Sequence, residues 1–411
     1  MENRKRIFDK MKKLNVHIDH IEDLIFLHEG EFLTHPYETF KLLLRSIDNG
    51  KICDGMKLSI KMDGSPAVTC FSDFGPDFPL PLAVSTKSML NKRPITCFTD
   101  EDIDYVFGDK PDMCHKLKLL LRNVPALNIP QGEIWQGDFL FDDKGLCEVL
   151  IDDKTYVTFQ PNIIIYALEK DVFLREYGDS KDIDVVFHTK YEGNSFDDLH
   201  MSHSKKHVPA VHNNILSLDP TIEILDHNFT VNETNHINYL FEELLECTDF
   251  LKSSEEYVFI VKNKLLVKLL ALYQNHIIKE NIDEFILEDF YEFMHDRYFK
   301  DYYSKKTENG KNKTLDEWVE LITLINLNRD IIRFMMNVSK NIVRLKKIFL
   351  DKLNENVTVF ETFIKMKDGT IKRTMHEGFV VTLNDALIKL VDRREFSRLN
   401  FSDDIDRGWK C

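Results

Sequence analysis

The first half of the chain alternates apolar and polar residues at the spacing of half-buried β-strands. One such segment, residues 56–62, leads into Asp63-Gly64-Ser65-Pro66, which has the composition of a turn. Because short turns separate these segments and helices between them are few, antiparallel sheets are favoured over a doubly wound parallel fold. Further strands are predicted over residues 66–71, 81–87, 132–141, 154–159, 162–168 and 183–189, with one helix near 114–122.

Helical spacing of apolar residues dominates elsewhere. Residues 5–14 and 37–47 are each predicted to form a helix, and residues 234–355 are predicted to be strongly helical. The clearest helix covers about 328–352, where apolar residues recur at alternating steps of four and three. Strand patterns return over residues 357–366, 370–374, 376–381 and 386–391.

These patterns predict an α+β fold divided into six parts. The parts are a helical N-terminal segment (1–50), the first part of a sheet-rich core (51–195), an irregular connection (196–233), a helical insertion (234–355), the second part of the core (356–398) and a polar tail (399–411).

The composition and net charge of the chain argue against several classes of protein. A net charge of −15 argues against a protein that coats nucleic acid by bulk attraction, so any nucleic-acid contact needs a local basic patch. No apolar run reaches the roughly 20 residues of a membrane-spanning helix, and the N-terminus lacks the apolar core of a signal peptide. Seven scattered cysteines without a Cys-x-x-Cys pair favour reduced thiols. We expect a soluble cytoplasmic protein with no membrane partner and no obligate protein partner.

A basic stripe runs beside the apolar stripe of the helix over 328–352. No acid lies between its second and last members, so the face carries one sign of charge. It is either an ordinary solvated face or a contact surface for the phosphate backbone of RNA. The stripe consists of Arg329, Arg333, Lys340, Arg344 and Lys347.

Two groups of histidines have partial metal-ligand spacing. Three histidines near acidic residues are more often surface or capping groups than a metal site. In the second group, two neighbouring lysines would repel a cation, so a mobile polar loop is the favoured interpretation. The groups are His17, His20 and His28, and His200, His203 and His207.

Lys61 is the strongest candidate for chemistry. It ends a predicted strand and is followed two residues later by Asp63-Gly64. The segment is either a hairpin with a surface lysine, or the site of a nucleophile whose pKa is lowered from about 10.4 by burial or by neighbouring cations.

Six segments, in chain order, resemble the motifs of the covalent nucleotidyltransferase superfamily, which contains polynucleotide ligases and mRNA capping enzymes. The likeness is greatest to phage-type ATP-dependent RNA ligases, whose signature begins Lys-x-Asp-Gly-Ser. The segments are Lys61-Met62-Asp63-Gly64-Ser65, Ser85-Thr86-Lys87-Ser88, Gly132-Glu133-Ile134, Ile163-Ile164-Ile165-Tyr166-Ala167-Leu168, Glu377-Gly378-Phe379-Val380-Val381 and Ile388-Lys389-Leu390-Val391.

The resemblance implies an antiparallel, ATP-grasp-like nucleotidyltransferase core and a role for each matching residue. It implies that Lys61 becomes nucleotidylated and that Asp63 holds Lys61 or a metal-bound water. It also implies that Lys87 contacts phosphate, that Lys389 touches the α-phosphate and that Glu377 engages the metal. Glu133 is implied to bind the ribose hydroxyls, and Tyr166 is implied to stack on the purine. Lys87, Lys389 and the metal are expected to lower the pKa of Lys61.

The implied activity is RNA ligation with ATP and Mg²⁺ or Mn²⁺ as cofactors. The implied partner is RNA with 5′-phosphate and 3′-hydroxyl ends. RNA repair, in the host cytoplasm for a phage protein, is the implied setting. Three alternatives stay open: a DNA ligase or guanylyltransferase on the same core, a non-catalytic nucleotide- or RNA-binding module, and an α+β protein with chance motif matches.

The sequence departs from the family pattern in two places. The last segment, Ile388-Lys389-Leu390-Val391, is similar to motif V of the family, which usually has a second lysine. Position 391 is valine, so Arg393 or Arg394 is expected to take its place. Lys61 and Glu377 are 377 − 61 = 316 residues apart, which the helical insertion explains. The short tail leaves no room for the OB-fold domain of DNA ligases and capping enzymes, and this favours an RNA ligase.

Overall fold

The computed structural model describes most of the chain. The described ranges are 19–27, 34–74, 80–91, 93–142, 145–178, 183–196, 198–202, 215–216, 220–224, 228–280, 282, 285–357, 360–383 and 386–406. The helix predicted over 5–14 lies outside these ranges, as do His17, His28, His203 and His207.

Strands in the described ranges form three sheets. They are β1 (Asp19–His20), β2 (Met56–Ile60), β3 (Ala67–Ser72), β4 (Leu82–Thr86), β5 (Glu133–Phe141), β6 (Cys147–Ile151), β7 (Lys154–Phe159), β8 (Ile165–Glu169), β9 (Ile183–Glu192), β10 (His200–Ser202), β11 (Ile215–Leu216), β12 (Glu361–Lys365), β13 (Ile371–Arg373), β14 (Gly378–Leu383) and β15 (Ala386–Val391).

Helices occupy both ends and the long central block of the described chain. They are α1 (Leu24–Leu27), α2 (His35–Asp48), α3 (Asp100–Phe107), α4 (Pro111–Asn123), α5 (Lys170–Tyr177), α6 (Val231–Ser253), α7 (Glu255–Lys262), α8 (Lys264–Glu280), α9 (Leu287–Ser304), α10 (Glu308–Leu327), α11 (Arg329–Asn356) and α12 (Arg393–Phe401).

The first sheet has the order β1–β15–β14–β2, the second β10–β9–β5–β3–β4 with β11 beside β9, and the third β13–β12–β8–β7–β6. Apart from the parallel pairs β1–β15 and β11–β9, the strands are antiparallel. The predicted α+β class with antiparallel sheets is therefore confirmed. The turn after β2 leads directly into β3, so it joins the first sheet to the second.

One apolar core runs from the first sheet into the helical block. It includes Phe40 of α2, Leu58 of β2, Phe349 of α11 and Phe379 of β14, all fully buried. The rings of Phe40 and Phe349 stack with centroids 5.2 Å apart. The predicted boundaries at 50, 234 and 355 thus separate element types, while the side chains on either side of them share a core.

Several short elements escaped prediction: α3, α5, β6 and α12. The polar tail predicted from residue 399 begins inside α12, and Ile405 beyond it is 4% exposed and pairs with Met366. Cys147 takes part in a disulfide bond, so the expectation of reduced thiols is wrong there, while Cys53, Cys70, Cys97, Cys114 and Cys247 are free. None of the helices in the described ranges has the length and apolar character needed to cross a membrane.

Candidate functional site

Lys61 stands where the first sheet ends and the chain turns toward the second. β2 pairs with β14, and the amide of Lys61 donates to the carbonyl of Gly378 over 2.9 Å. The Lys61 ammonium contacts the carboxylates of Glu377 and Asp63. Pairing of two strands therefore joins a lysine and a glutamate that are 316 residues apart.

Two motif glycines lie where main chains approach too closely for a side chain. A Cβ atom on Gly64 would lie 2.3 Å from the carbonyl oxygen of Phe139, and one on Gly378 would lie 2.2 Å from that of Leu390. Alanine at either position would push the neighbouring main chain away. The glycines of the Lys-x-Asp-Gly and Glu-Gly segments thus keep the turn and β14 close to their neighbours.

The pKa of Lys61 is shifted upward, whereas a lowered pKa was expected. Its side chain is 11% exposed and that of Glu377 is 1% exposed, whereas Asp63 is 40% exposed. Burial by itself lowers the pKa of Lys61, but Glu377 and Asp63 outweigh it, and the pKa lies above its ordinary value. The expected net lowering of the pKa of Lys61 is therefore not found, because the two acids outweigh the neighbouring lysines. Instead, burial and the charge of Lys61 lower the pKa of Lys389.

Glu377 and Asp63 are shifted in opposite directions. Burial raises the pKa of Glu377 to about 8, with a further contribution from Asp63 and in spite of contact with Lys61. The pKa of Asp63 is lowered because Lys61 outweighs the effect of burial. Near neutral pH, a protonated Glu377 therefore lies beside an ionised Asp63 and a charged Lys61.

A third acid, Asp138, comes from the second sheet. Burial and the charge of Asp63 raise its pKa to about 7, and three lysines oppose that rise: Lys87, Lys61 and Lys389. Asp138 was absent from the predicted site because strand alternation does not indicate which acid of β5 faces another sheet. The three lysines and three acids, Lys61, Asp63, Lys87, Asp138, Glu377 and Lys389, are called the Lys61 cluster below.

The Lys61 cluster can hold a divalent cation only when a bound nucleotide supplies further ligands. Among the described residues, no group of three or more histidine, cysteine or acidic side chains is arranged to hold a metal. However, Oε2 of Glu377 is buried and lacks a hydrogen-bond partner. Mg²⁺ is usually held by one or two carboxylates plus substrate phosphates. Glu377, with Asp63 beside it, therefore suits a Mg²⁺ ion that arrives with a nucleotide.

Neither Glu133 nor Tyr166 is available as the predicted nucleotide contact, although Tyr166 is buried beside Asp63 and Glu377. Glu133 is five residues from Asp138 along β5, on the order of 16 Å. Its carboxylate accepts from Lys190 over 3.0 Å and from Trp135 over 2.8 Å, so it is not a free ligand for a ribose. Tyr166 is fully buried and stacks on Phe159, with centroids 5.5 Å apart. A core position explains Tyr166, and its ring has no exposed face for a purine.

Arg393 belongs to a second buried ionic group. Its guanidinium donates to Asp23 over 3.1 Å and to Asn275 over 2.9 Å, and its Nε lies 3.2 Å from Glu22. Lys346 donates to Glu22 over 2.6 Å. These five residues are called the Arg393 cluster below. Since Arg393 is held there, it does not replace the missing motif V lysine; Arg394, which is exposed, stays a candidate.

The basic stripe on α11 is not of one sign. Arg333 lies 3.8 Å from Asp330, and Arg329 lies 3.9 Å from the same carboxylate. Lys347 pairs with Asp351 over 2.6 Å. These acids are on the same helix, outside the interval that the sequence pattern considered. Lys340 and Arg344 are the stripe residues without a described acid partner.

The described histidines show no sign of a metal site. His20 pairs through its main chain with Lys389, and burial, with Arg393 nearby, lowers its pKa to about 3. His200 is exposed on β10. The other members of both predicted groups lie outside the described ranges.

Comparison with known proteins gives a family but no activity. No curated protein and no solved structure matches the chain significantly. One family matches residues 15–404, a range that contains the whole Lys61 cluster. The chain therefore belongs to DUF6267, a family of unknown function.

Proposed function

We propose that this protein is an ATP-dependent RNA ligase that forms a covalent bond between Lys61 and AMP. The observation that supports the proposal is the Lys61 cluster itself. A structural ion pair needs one group of each sign, whereas this cluster gathers three lysines and three acids and leaves a buried carboxylate oxygen unpartnered. Perturbed pKa values concentrated in one place are typical of catalytic sites.

The first step joins Lys61 to the nucleotide. The uncharged amine attacks the α-phosphorus of ATP, forming a P–N bond while the bond to pyrophosphate breaks with its electron pair. Because the pKa of Lys61 is raised, the ammonium proton must go to an acceptor before attack. Glu377 touches Lys61, and although its pKa of about 8 leaves only a minor fraction ionised near neutral pH, that fraction is a better proton acceptor than an ordinary carboxylate.

The remaining steps use the same residues. An oxygen of an RNA 5′-phosphate attacks the lysyl-AMP phosphorus, the P–N bond breaks and Lys61 regains a proton. A 3′-hydroxyl then attacks the activated 5′-phosphate and AMP leaves. Lys87 and Lys389 would offset charge that develops on phosphate, and a Mg²⁺ ion held by Glu377 would add to this effect.

The decisive experiment is self-adenylylation. Incubation with α-labelled ATP should give an acid-labile covalent label on the wild-type chain, and label from GTP should be weaker. Lys61→Arg should abolish labelling, since a guanidinium keeps its charge and cannot attack. Lys57→Ala is the matched control, because Lys57 lies on β2 in the same sheet and should leave labelling unchanged.

Other outcomes separate the alternatives. Label from GTP alone would indicate a guanylyltransferase, and joining of DNA but not RNA ends would indicate a DNA ligase. Bound ATP without covalent label would contradict the enzyme proposal and favour a non-catalytic module. The raised pKa of Lys61 is the observation that keeps this second candidate in view.

A further inference from the structure

A cleft of about 570 Å³ lies on the helical block, away from the Lys61 cluster. It is formed by α7 and α8, with Lys262, Lys264 and Lys268 at its rim and apolar side chains such as Val267 on its wall. Ligand sites in proteins typically occupy roughly 300–1,000 Å³, so the cleft is large enough for part of a ligand.

The three lysines of the cleft have no acidic partner among the described residues. All three are exposed. Several other lysines of the helical block do have an acidic partner: Lys305 lies 2.8 Å from Asp301, for example. In a chain of net charge −15, three unpaired lysines around one cavity form a local positive site.

The cleft is connected to Lys61 through α12. Asn275, which lines the cleft, accepts a hydrogen bond from Arg393 over 2.9 Å. One turn further along α12, the ring of Phe396 lies 5.7 Å from the ammonium of Lys61. Because residues three apart project from the same side of a helix, the cleft and Lys61 both border the first turn of α12.

We propose that this cleft binds the phosphate backbone of a single RNA strand whose end reacts at Lys61. The inference deepens the proposed function and rests on it for the identity of the strand. Lys264 and Lys268 are four residues apart on α8, so their side chains project from adjacent turns, and Lys262 ends the preceding helix. Point charges over an apolar wall suit phosphates and read no base edges, so binding should be tolerant of sequence.

The test is the affinity for a labelled single-stranded RNA with a 5′-phosphate, measured by fluorescence anisotropy at several salt concentrations. Combining Lys262→Glu, Lys264→Glu and Lys268→Glu should weaken binding at least about tenfold and reduce the salt slope by about 2, as expected for three lost single-strand contacts. All three side chains are exposed, and a thermal melt checks that the fold is retained.

A charge-matched control is available on α9 and α10 and the turn between them. Lys300→Glu, Lys306→Glu and Lys313→Glu together change the net charge by the same 3 × −2 = −6, from −15 to −21. The control should keep nearly wild-type affinity. Equal weakening in both triple variants would mean a bulk charge effect and would overturn the proposal, as would unchanged affinity in the cleft variant.

Self-adenylylation distinguishes failure of the cleft from failure of the ligase proposal. The cleft variant should label normally with ATP, and Lys61→Arg should bind RNA normally. Loss of RNA binding in the cleft variant without any labelling of the wild type would support the cleft and contradict the ligase. Competition by polyglutamate as strong as by RNA would identify a site for acidic polypeptides and overturn the RNA assignment.

Discussion

The Lys61 cluster and the Arg393 cluster are both buried ionic groups, but the pKa values of their buried glutamates are shifted in opposite directions. In the Arg393 cluster, burial alone would raise the pKa of Glu22, but Lys346 and Arg393 lower it to about 2. In the Lys61 cluster, contact with a lysine fails to prevent burial from raising the pKa of Glu377 to about 8. The contrast concerns the two glutamates, since burial raises the pKa of Asp23 in the Arg393 cluster to about 6 in spite of its contact with Arg393.

Exposure separates the two clusters further. Lys346 is 3% exposed and Glu22 is fully buried, so their pair is sealed from solvent. The Lys61 cluster opens to solvent through Asp63, which is 40% exposed. The sealed cluster holds α11, α12 and residues 21–23 together, while the cluster that is open to solvent can accept a ligand. Three measurements can break or sharpen this contrast.

The largest expected difference is in stability. Lys346→Met should lower the free energy of unfolding by about 3 kcal/mol, because it leaves two buried carboxyl groups, Glu22 and Asp23, to share the single cation Arg393. Lys61→Met should cost about 1 kcal/mol or less, since Glu377 can stay protonated and Asp63 is partly hydrated. Urea unfolding of both variants is the measurement. Similar losses would mean that the two clusters do the same structural work.

The second expected effect is a pH dependence. The pKa of Glu377 is about 8 in the folded protein against 4.5 for the unperturbed group, so the carboxyl group stabilises the fold below pH 4.5 and this contribution is lost as pH rises to 8. Glu377→Gln should therefore flatten the fall in unfolding free energy across that window, by at most about 1.4 kcal/mol per pH unit.

An exposed glutamate provides the control for this measurement. Glu242→Gln on α6 should give a profile parallel to that of the wild type. If the stability profile of Glu377→Gln were also parallel to that of the wild type, Glu377 would not have the raised pKa on which its role as proton acceptor in the proposed first step depends.

The smallest expected effect concerns the basic stripe. Arg333→Glu, Lys340→Glu and Arg344→Glu combined should weaken RNA binding by less than about threefold, because Asp330 already offsets Arg333 and only two charges without a described acidic partner remain on this face. Anisotropy with the same RNA as for the cleft gives the comparison. A loss above tenfold, with labelling by ATP intact, would move the RNA path from the cleft to α11.

The sequence predicted the long elements well and the short ones poorly. The helix expected over about 328–352 is α11, Arg329–Asn356, because its apolar repeat is long and regular. The missed helix α3 has eight residues, too few for a periodic signal, although its cap is readable: Thr99 accepts from the amide of Asp102. Helix α12 likewise begins at a cap, Asp392, that the pattern of apolar residues does not reveal.

Site residues were predictable where local motifs and strand ends coincide. Lys61, Asp63, Lys87, Glu377 and Lys389 come together as the ordered motifs indicated. Three features were not predictable: the presence of Asp138 in the site, the partners of Glu133 and the burial of Tyr166. Each depends on which face of a strand packs against another part of the fold. That choice is made by tertiary packing, which no short segment of sequence encodes.

The pairing of β2 with β14 has a consequence for how the protein matures. Lys61 leaves the ribosome 316 residues before Glu377 does, an interval of roughly 16–60 s at 5–20 residues per second. Until that late strand is added, nothing holds the lysine against its acid, and chains cut short before residue 377 are expected to be inert. Chemical competence would thus report that synthesis has passed β14.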